Sequence, residues 1–135
     1  MVRNNEIGLL ILRVVLGITF LIHGIAKFQM GLGNVAGWFE SIGILGFLGY
    51  VVAFIELLGG IALILGIGTR IFSALIAIVM VGAIFTSKLS LGFMGEVAAG
   101  YELDLALLAM AVVLLISGSQ LLSLDNKFFG SEKAA

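Results

Sequence analysis

The chain has no cysteine and no proline, one histidine, one tryptophan, and charges at 11% of its 135 residues. Each shortage removes a class of function. Without cysteine there is no disulfide, no thiol nucleophile and no thiolate-held zinc or iron–sulfur centre. One histidine cannot build a dedicated zinc site, so no metal is expected; a haem on a single histidine has no further support. Without proline, helix breaks and close helix contacts must rest on serine and on the 19 glycines. A net charge of −1 gives no basic face for nucleic acid, and no such partner is expected.

Apolar residues are what the chain has in excess. It is 61% hydrophobic with a mean hydropathy of +1.27, against about 45–50% apolar and about 25% charged for a soluble domain. Four stretches, about 7–28, 47–67, 71–88 and 103–122, reach the roughly 20 apolar residues that a bilayer span requires. The first is long, interrupted by Arg13 and followed by further membrane-grade sequence, so it reads as a retained span rather than a cleaved signal peptide. The expected fold is all-α and integral to the membrane: one domain over 1–135, an antiparallel four-transmembrane-helix bundle.

The connections carry their own signals. Residues 66–70 form a tight Gly-rich turn ending in Arg70, and 29–46 form a longer Gly-rich loop holding Trp38 and Glu40. That loop is expected to contain a short interfacial helix capped by Asn34, with Trp38 at the outer headgroup level. A second Gly-rich loop, 90–101, places Glu96 and Tyr101 at the same level, and the polar end 125–135 is expected to fray. Arg3, Arg13, Arg70, Lys127 and Lys133 fall on one side, so the positive-inside rule puts both termini in the cytoplasm of a cell-membrane protein.

Arg13, Gly17, Phe20, Gly24 and Lys27 recur at four-three-four-three spacing along one helical face, with His23 at its border. Cations on a lipid-facing helix are costly, so this stripe is expected to face the bundle interior or a polar cavity. Glu56, near the middle of the second span, needs a cationic partner or a proton. Counting residues from the span ends sets Arg13 and Glu56 about 7 Å apart in height, which makes an Arg13–Glu56 pair with His23 beyond it the expected contact. Lys27 ends the first span where Glu102 and Asp104 begin the fourth, so these three are expected to meet near the outer surface. Pairs that merely set helix register account for both clusters equally well.

The pattern R-x3-G-x2-F-x2-HG-x2-KF in the first span, E-x2-GG in the second and the closing YELDLALLAMAVVLLISGSQLLSLD resemble the DoxX family of small four-helix membrane proteins. The resemblance implies a membrane partner of oxidoreductase systems, nearest to the branch associated with quinone- or catechol-detoxifying enzymes. On that footing the expected function is a redox-associated membrane subunit that binds a quinone or similar small aromatic. His23 and Lys27 would hydrogen-bond its head group and Glu56 would exchange a proton, with Arg13, Glu102 and Asp104 completing the candidate ligand site. The chain lacks flavin or dinucleotide motifs, so a soluble or membrane oxidoreductase partner would supply electrons, and this chain is not a complete enzyme alone. Two alternatives stand beside this reading. One is a structural subunit without ligand; the other is a proton-coupled exporter working as a homo-oligomer, with Glu56 alternating between proton and substrate.

Overall fold

With no proline to interrupt it, the first apolar run continues as a single helix, α1 (Asn4–Met30). It ends at Gly31, whose φ of +97° turns the chain directly into α2 (Leu32–Ser41). The computed structural model describes residues 4–129, and every regular element among them is helical. Arg3 and Lys133, counted in the charge asymmetry, lie outside the described residues.

Helix α2 lies in the first long loop and buries Val35 and Phe39. It packs on the start of α3 (Phe47–Leu65), where a Cβ on Gly49 would stand 3.1 Å from the Ala36 Cα. Asn34 does not cap it. Gly31 occupies the capping position, and the Asn34 amide instead donates to the Met30 carbonyl at 2.7 Å.

Helix α3 stops at Gly66, where φ is +74° and the Ile67 amide donates back to the Ala62 carbonyl at 2.8 Å. This left-handed glycine termination satisfies carbonyls that the helix end would otherwise leave open. The chain turns through Gly68 into α4 (Thr69–Ala83), which continues through a π-helical turn (Ile84–Lys88) and a 3₁₀ turn (Leu89–Leu91). Thr86 and Ser87 donate their hydroxyls to the carbonyls of Gly82 and Ala83, four residues back, across the junction. Such back-bonding accompanies local departures from α-geometry.

Helix α5 (Glu102–Ser117) has 16 residues, fewer than the stretch expected from hydropathy. It ends early at Gly118 (φ +68°), and the carbonyls that would extend it are taken by Arg13. A short helix, α6 (Leu124–Phe129), follows. Asp125 to Phe129 are therefore helical rather than frayed, and 130–135 lie outside the described residues. Three helical stretches, α1, α3 and α4 with its continuation to Leu91, are long and apolar enough to cross a membrane.

α1 lies along α3, α4 along α5 and α3 against α4, whereas α1 and α5 touch sparsely. Glycine makes the first contact intimate. A Cβ on Gly24 would stand 2.6 Å from the Leu57 amide nitrogen, one on Gly17 would stand 2.9 Å from Ile64, and one on Gly60 would collide with the Leu21 backbone. Opposing Gly24 to Leu57, Leu21 to Gly60 and Gly17 to Ile64 is one constant register between helices running in opposite directions. Leu16, Phe20, Leu63, Ile76, Leu107, Ala111 and Leu114 close the centre. In a bilayer such a centre is held by dispersion and close fit, because lipid tails are as apolar as leucine. Ile11, Ile18, Ile22 and Ile25 face outward along α1, as suits a surface wetted by hydrocarbon.

Candidate functional site

The register between α1 and α3 decides which charges meet. Carried along both helices, it puts Lys27 within two residues of the level of Glu56, about 3 Å at the helical rise. Lys27 Nζ lies 2.6 Å from Glu56 Oε1, with the carboxylate side chain 5% exposed and the lysine 22%. The same register sets Arg13 level with Gly68, some 18 Å from Glu56 along the axis, so the expected Arg13–Glu56 pair does not form. Counting from span ends failed because α1 has 27 residues and α3 has 19. Their ends are not level.

Arg13 instead faces the turn after α5. Its guanidinium is buried and donates to the carbonyls of Ser119 (3.0 Å), Leu121 (3.2 Å) and Leu122 (2.9 Å). These bonds hold Leu122 in a left-handed conformation, φ +51°. Asp125 completes the clamp: its carboxylate accepts from the Gly68 amide at 2.6 Å and its own amide donates to the Gly66 carbonyl at 3.0 Å. Gly66 is required there, since a Cβ would strike Ser123. Arg13 is thus a fastener between α1, the α3–α4 turn and the segment leaving α5.

The expected Lys27–Glu102–Asp104 cluster is also redistributed. Lys27 is taken by Glu56, Glu102 is exposed, and Asp104 has Lys88 as its partner at 4.0 Å. Lys88, which the sequence reading left without a role, also donates to the Ala99 carbonyl at 3.4 Å. Its signal was the polar Thr86-Ser87-Lys88 run ending an apolar helix. No group of three metal-ligating side chains occurs among the described residues.

His23 is where the geometry becomes informative. It stands beside Phe20, ring centroids 6.1 Å apart, and two turns on from Leu16, within about 20° of the same side of α1. Leu16 and Phe20 are 0% and 1% exposed, yet His23 is exposed. Chain-end exposure does not explain this, because Gly24 and Lys27 lie further along the helix and are better covered. Leu103 on α5 mirrors it: one turn from Leu107, which is buried, Leu103 is 55% exposed. α1 and α5 therefore part beyond the level of Phe20 and Leu107. His23 and Leu103 are thus exposed at the ends of α1 and α5 where these helices touch least, with the Lys27–Glu56 pair on the neighbouring α1–α3 seam.

A second concavity, about 500 Å³, lies between α3 and α4 and is lined by Phe47, Tyr50, Phe54, Leu58, Phe72 and Leu75. It presents no polar surface. Glu56 is about 160° round α3 from Phe54 and Leu58, so this groove and the ion pair occupy opposite sides of the helix.

Three known proteins are similar to this chain over most of its length. A Bacillus subtilis protein named "Putative oxidoreductase CatD" is 43% identical over 131 residues, 97% of this chain and 94% of the relative. An uncharacterized membrane protein of Mycobacterium tuberculosis, Rv3486, is 34% identical over 127 residues, 86% of this chain and 78% of its own. A Haemophilus influenzae protein without assigned role is 34% identical over 122 residues, 87% of this chain and 88% of its own. No solved structure matches. The DoxX profile matches residues 8–89, most of α1 to α4 with the glycine seam and both members of the Lys27–Glu56 pair, and the chain belongs to the DoxX family of membrane proteins.

Proposed function

We propose that this protein is a membrane subunit of a redox system that holds a quinone or similar small aromatic between α1 and α5. The observation that carries the reading is His23: an ionisable side chain on the bundle-facing side of α1, exposed one turn from a lysine already ordered by Glu56. Ionisable groups at membrane depth mark ligand or proton sites more often than passive surface. In this arrangement α5 is the fourth span of an antiparallel four-helix bundle, α2 lies at the membrane interface with Trp38 at headgroup level, and both termini are cytoplasmic.

The side chains present fit such a ligand. Lys27 has three ammonium donors and directs one to Glu56, so a ring carbonyl would take another. His23 would hydrogen-bond the ring from the same end of α1. A bound quinone would supply the capacity to accept two electrons and two protons. Glu56, paired with Lys27, would exchange a proton with the ligand. Electrons would come from a partner oxidoreductase, in keeping with the name carried by the Bacillus subtilis relative.

Mass spectrometry of organic extracts from mildly purified protein tests this reading. Near-stoichiometric quinone in the wild type, depleted in His23→Ala and Glu56→Gln, is the expected result. No enriched small molecule in any sample would leave a structural subunit, in which Lys27–Glu56 serves only to lock α1 against α3. The exporter reading has less support: such a carboxylate is expected to stand unpaired, and Glu56 has Lys27 as its partner at 2.6 Å.

A further inference from the structure

We infer that the α1–α5 seam is a lateral gate, fixed at the Arg13 end and opening at the His23 end, through which an amphiphile dissolved in the bilayer reaches Lys27 and Glu56. The inference rests on the ligand site proposed above and adds its route and its ligand class. Four observations converge on it.

The four long helices form two tight pairs, α1 with α3 and α4 with α5. The α1–α3 pair is fused by Gly17, Gly24 and Gly60, whose missing side chains leave backbone against backbone. That seam has no room to part. α1 and α5, by contrast, meet sparsely, and past the buried Phe20 and Leu107 the next residues on the same sides of their helices, His23 and Leu103, are exposed.

The two ends of the α1–α5 seam are secured differently. At one end Arg13 ties α1 to the segment leaving α5 through three carbonyl bonds, and Asp125 ties the same segment to the α3–α4 turn. At the other end no hydrogen bond or ion pair joins α1 to α5 among the described residues: Lys27 pairs with α3, and Asp104 stands by Lys88. A hinge needs one fixed end and one free end, and the seam has both.

The surroundings of the mouth name the ligand class. Near this end Ile22 on α1 and Leu103 and Leu105 on α5 are exposed apolar residues, and Glu102 at the start of α5 is exposed and charged, so the mouth sits where hydrocarbon meets the headgroup layer. Its interior offers Lys27 and His23. The fitting molecule has a compact hydrogen-bond-accepting head and an apolar tail left in the bilayer. The α3–α4 groove is no alternative route, because it lies on the far side of α3 from Glu56 and is wholly apolar.

The absence of cysteine makes the test direct. Ala26→Cys with Ala106→Cys puts one exposed thiol on α1 and one on α5 toward the His23 end; Ile7→Cys with Ile116→Cys does the same toward the Arg13 end. Each pair is bridged by a bifunctional maleimide in phosphatidylcholine nanodiscs containing decyl-benzoquinone, and retained quinone is measured over time by mass spectrometry. Bridging the His23 end should slow uptake by about tenfold or more, since uptake scales with the open fraction, while bridging the Arg13 end leaves it unchanged. Unchanged uptake with the His23 end bridged overturns the gate. If even the unbridged protein takes up no quinone, the ligand reading fails on its own. The gate is then decided by spin labels on the same pairs: a broader distance distribution at the His23 end than at the Arg13 end supports it, and equal widths overturn it.

Discussion

Lys27 and Glu56, on helices that run in opposite directions, meet at 2.6 Å because three glycines set the register between them. The pair is therefore as much a product of Gly24 and Gly60 as of its own charges. Removing one member strands the other in a low-dielectric site, which costs up to about 3–5 kcal/mol, whereas removing both together is far milder. Glu56→Gln and Lys27→Met should each lower the thermal unfolding midpoint in detergent, and the double variant should recover most of the loss. Additive losses would show that the two side chains act independently.

Arg13→Ala should destabilise the bundle by a mechanism unlike ion-pair rupture. It leaves the carbonyls of Ser119, Leu121 and Leu122 without their donor, and a buried unsatisfied carbonyl such as that of Ser119 costs about 1–3 kcal/mol. The damage should be local as well as large. Hydrogen exchange in residues 118–129 should rise while the α1–α3 seam remains protected, and uniform loss of protection along the chain would contradict the clamp.

The glycine seam makes its own prediction. Gly60→Ala drives a methyl into the Leu21 backbone, and overpacking of a close-fitted contact costs about 1–3 kcal/mol. Gly8→Ala, on the partner helix α1 with nothing within 4 Å of its Cβ position, should be neutral or slightly stabilising. Thermal unfolding of the two variants side by side separates steric cost from helix propensity.

Trp38 is the sole tryptophan and is half exposed on α2. If α2 lies at the interface, lipids brominated near the headgroup should quench its fluorescence more strongly than lipids brominated near the chain end. Stronger quenching from deep bromines would place α2 inside the hydrocarbon.

Composition and hydropathy made the helical membrane character legible, and the stripe of Arg13, Phe20, Gly24 and Lys27 did turn inward. Pairing was less legible. Heights counted from predicted span ends assume that neighbouring helices begin level, and α1 overshoots α3 by several residues. The better guide was Gly17, Gly24 and Gly60, since close-packed glycines dictate register wherever helix ends happen to fall. Arg13 was misassigned for a second reason. Its partners are backbone carbonyls, which leave no mark on side-chain sequence, and they lie in a segment whose apolar composition reads as unbroken helix. Gly118-Ser119-Gln120 within that run was the available hint of a break. The sparse contact between α1 and α5 was not legible at all, because nothing in the sequence sets how far α5 stands from α1.

The sheet of fully buried apolar side chains between the Arg13 layer and the Lys27–Glu56 layer has an electrical consequence. Beside Leu16, Phe20, Leu63, Ile76 and Leu114, α4 contributes the buried hydroxyls of Thr69 and Ser73, and no buried ionisable side chain joins the two layers among the described residues. A proton gained at Glu56 therefore has no titratable relay toward Arg13 and returns by the side from which it came. Chemistry at this site would discharge reducing equivalents without moving net charge across the membrane, and a protonophore that collapses the membrane potential should leave its rate untouched.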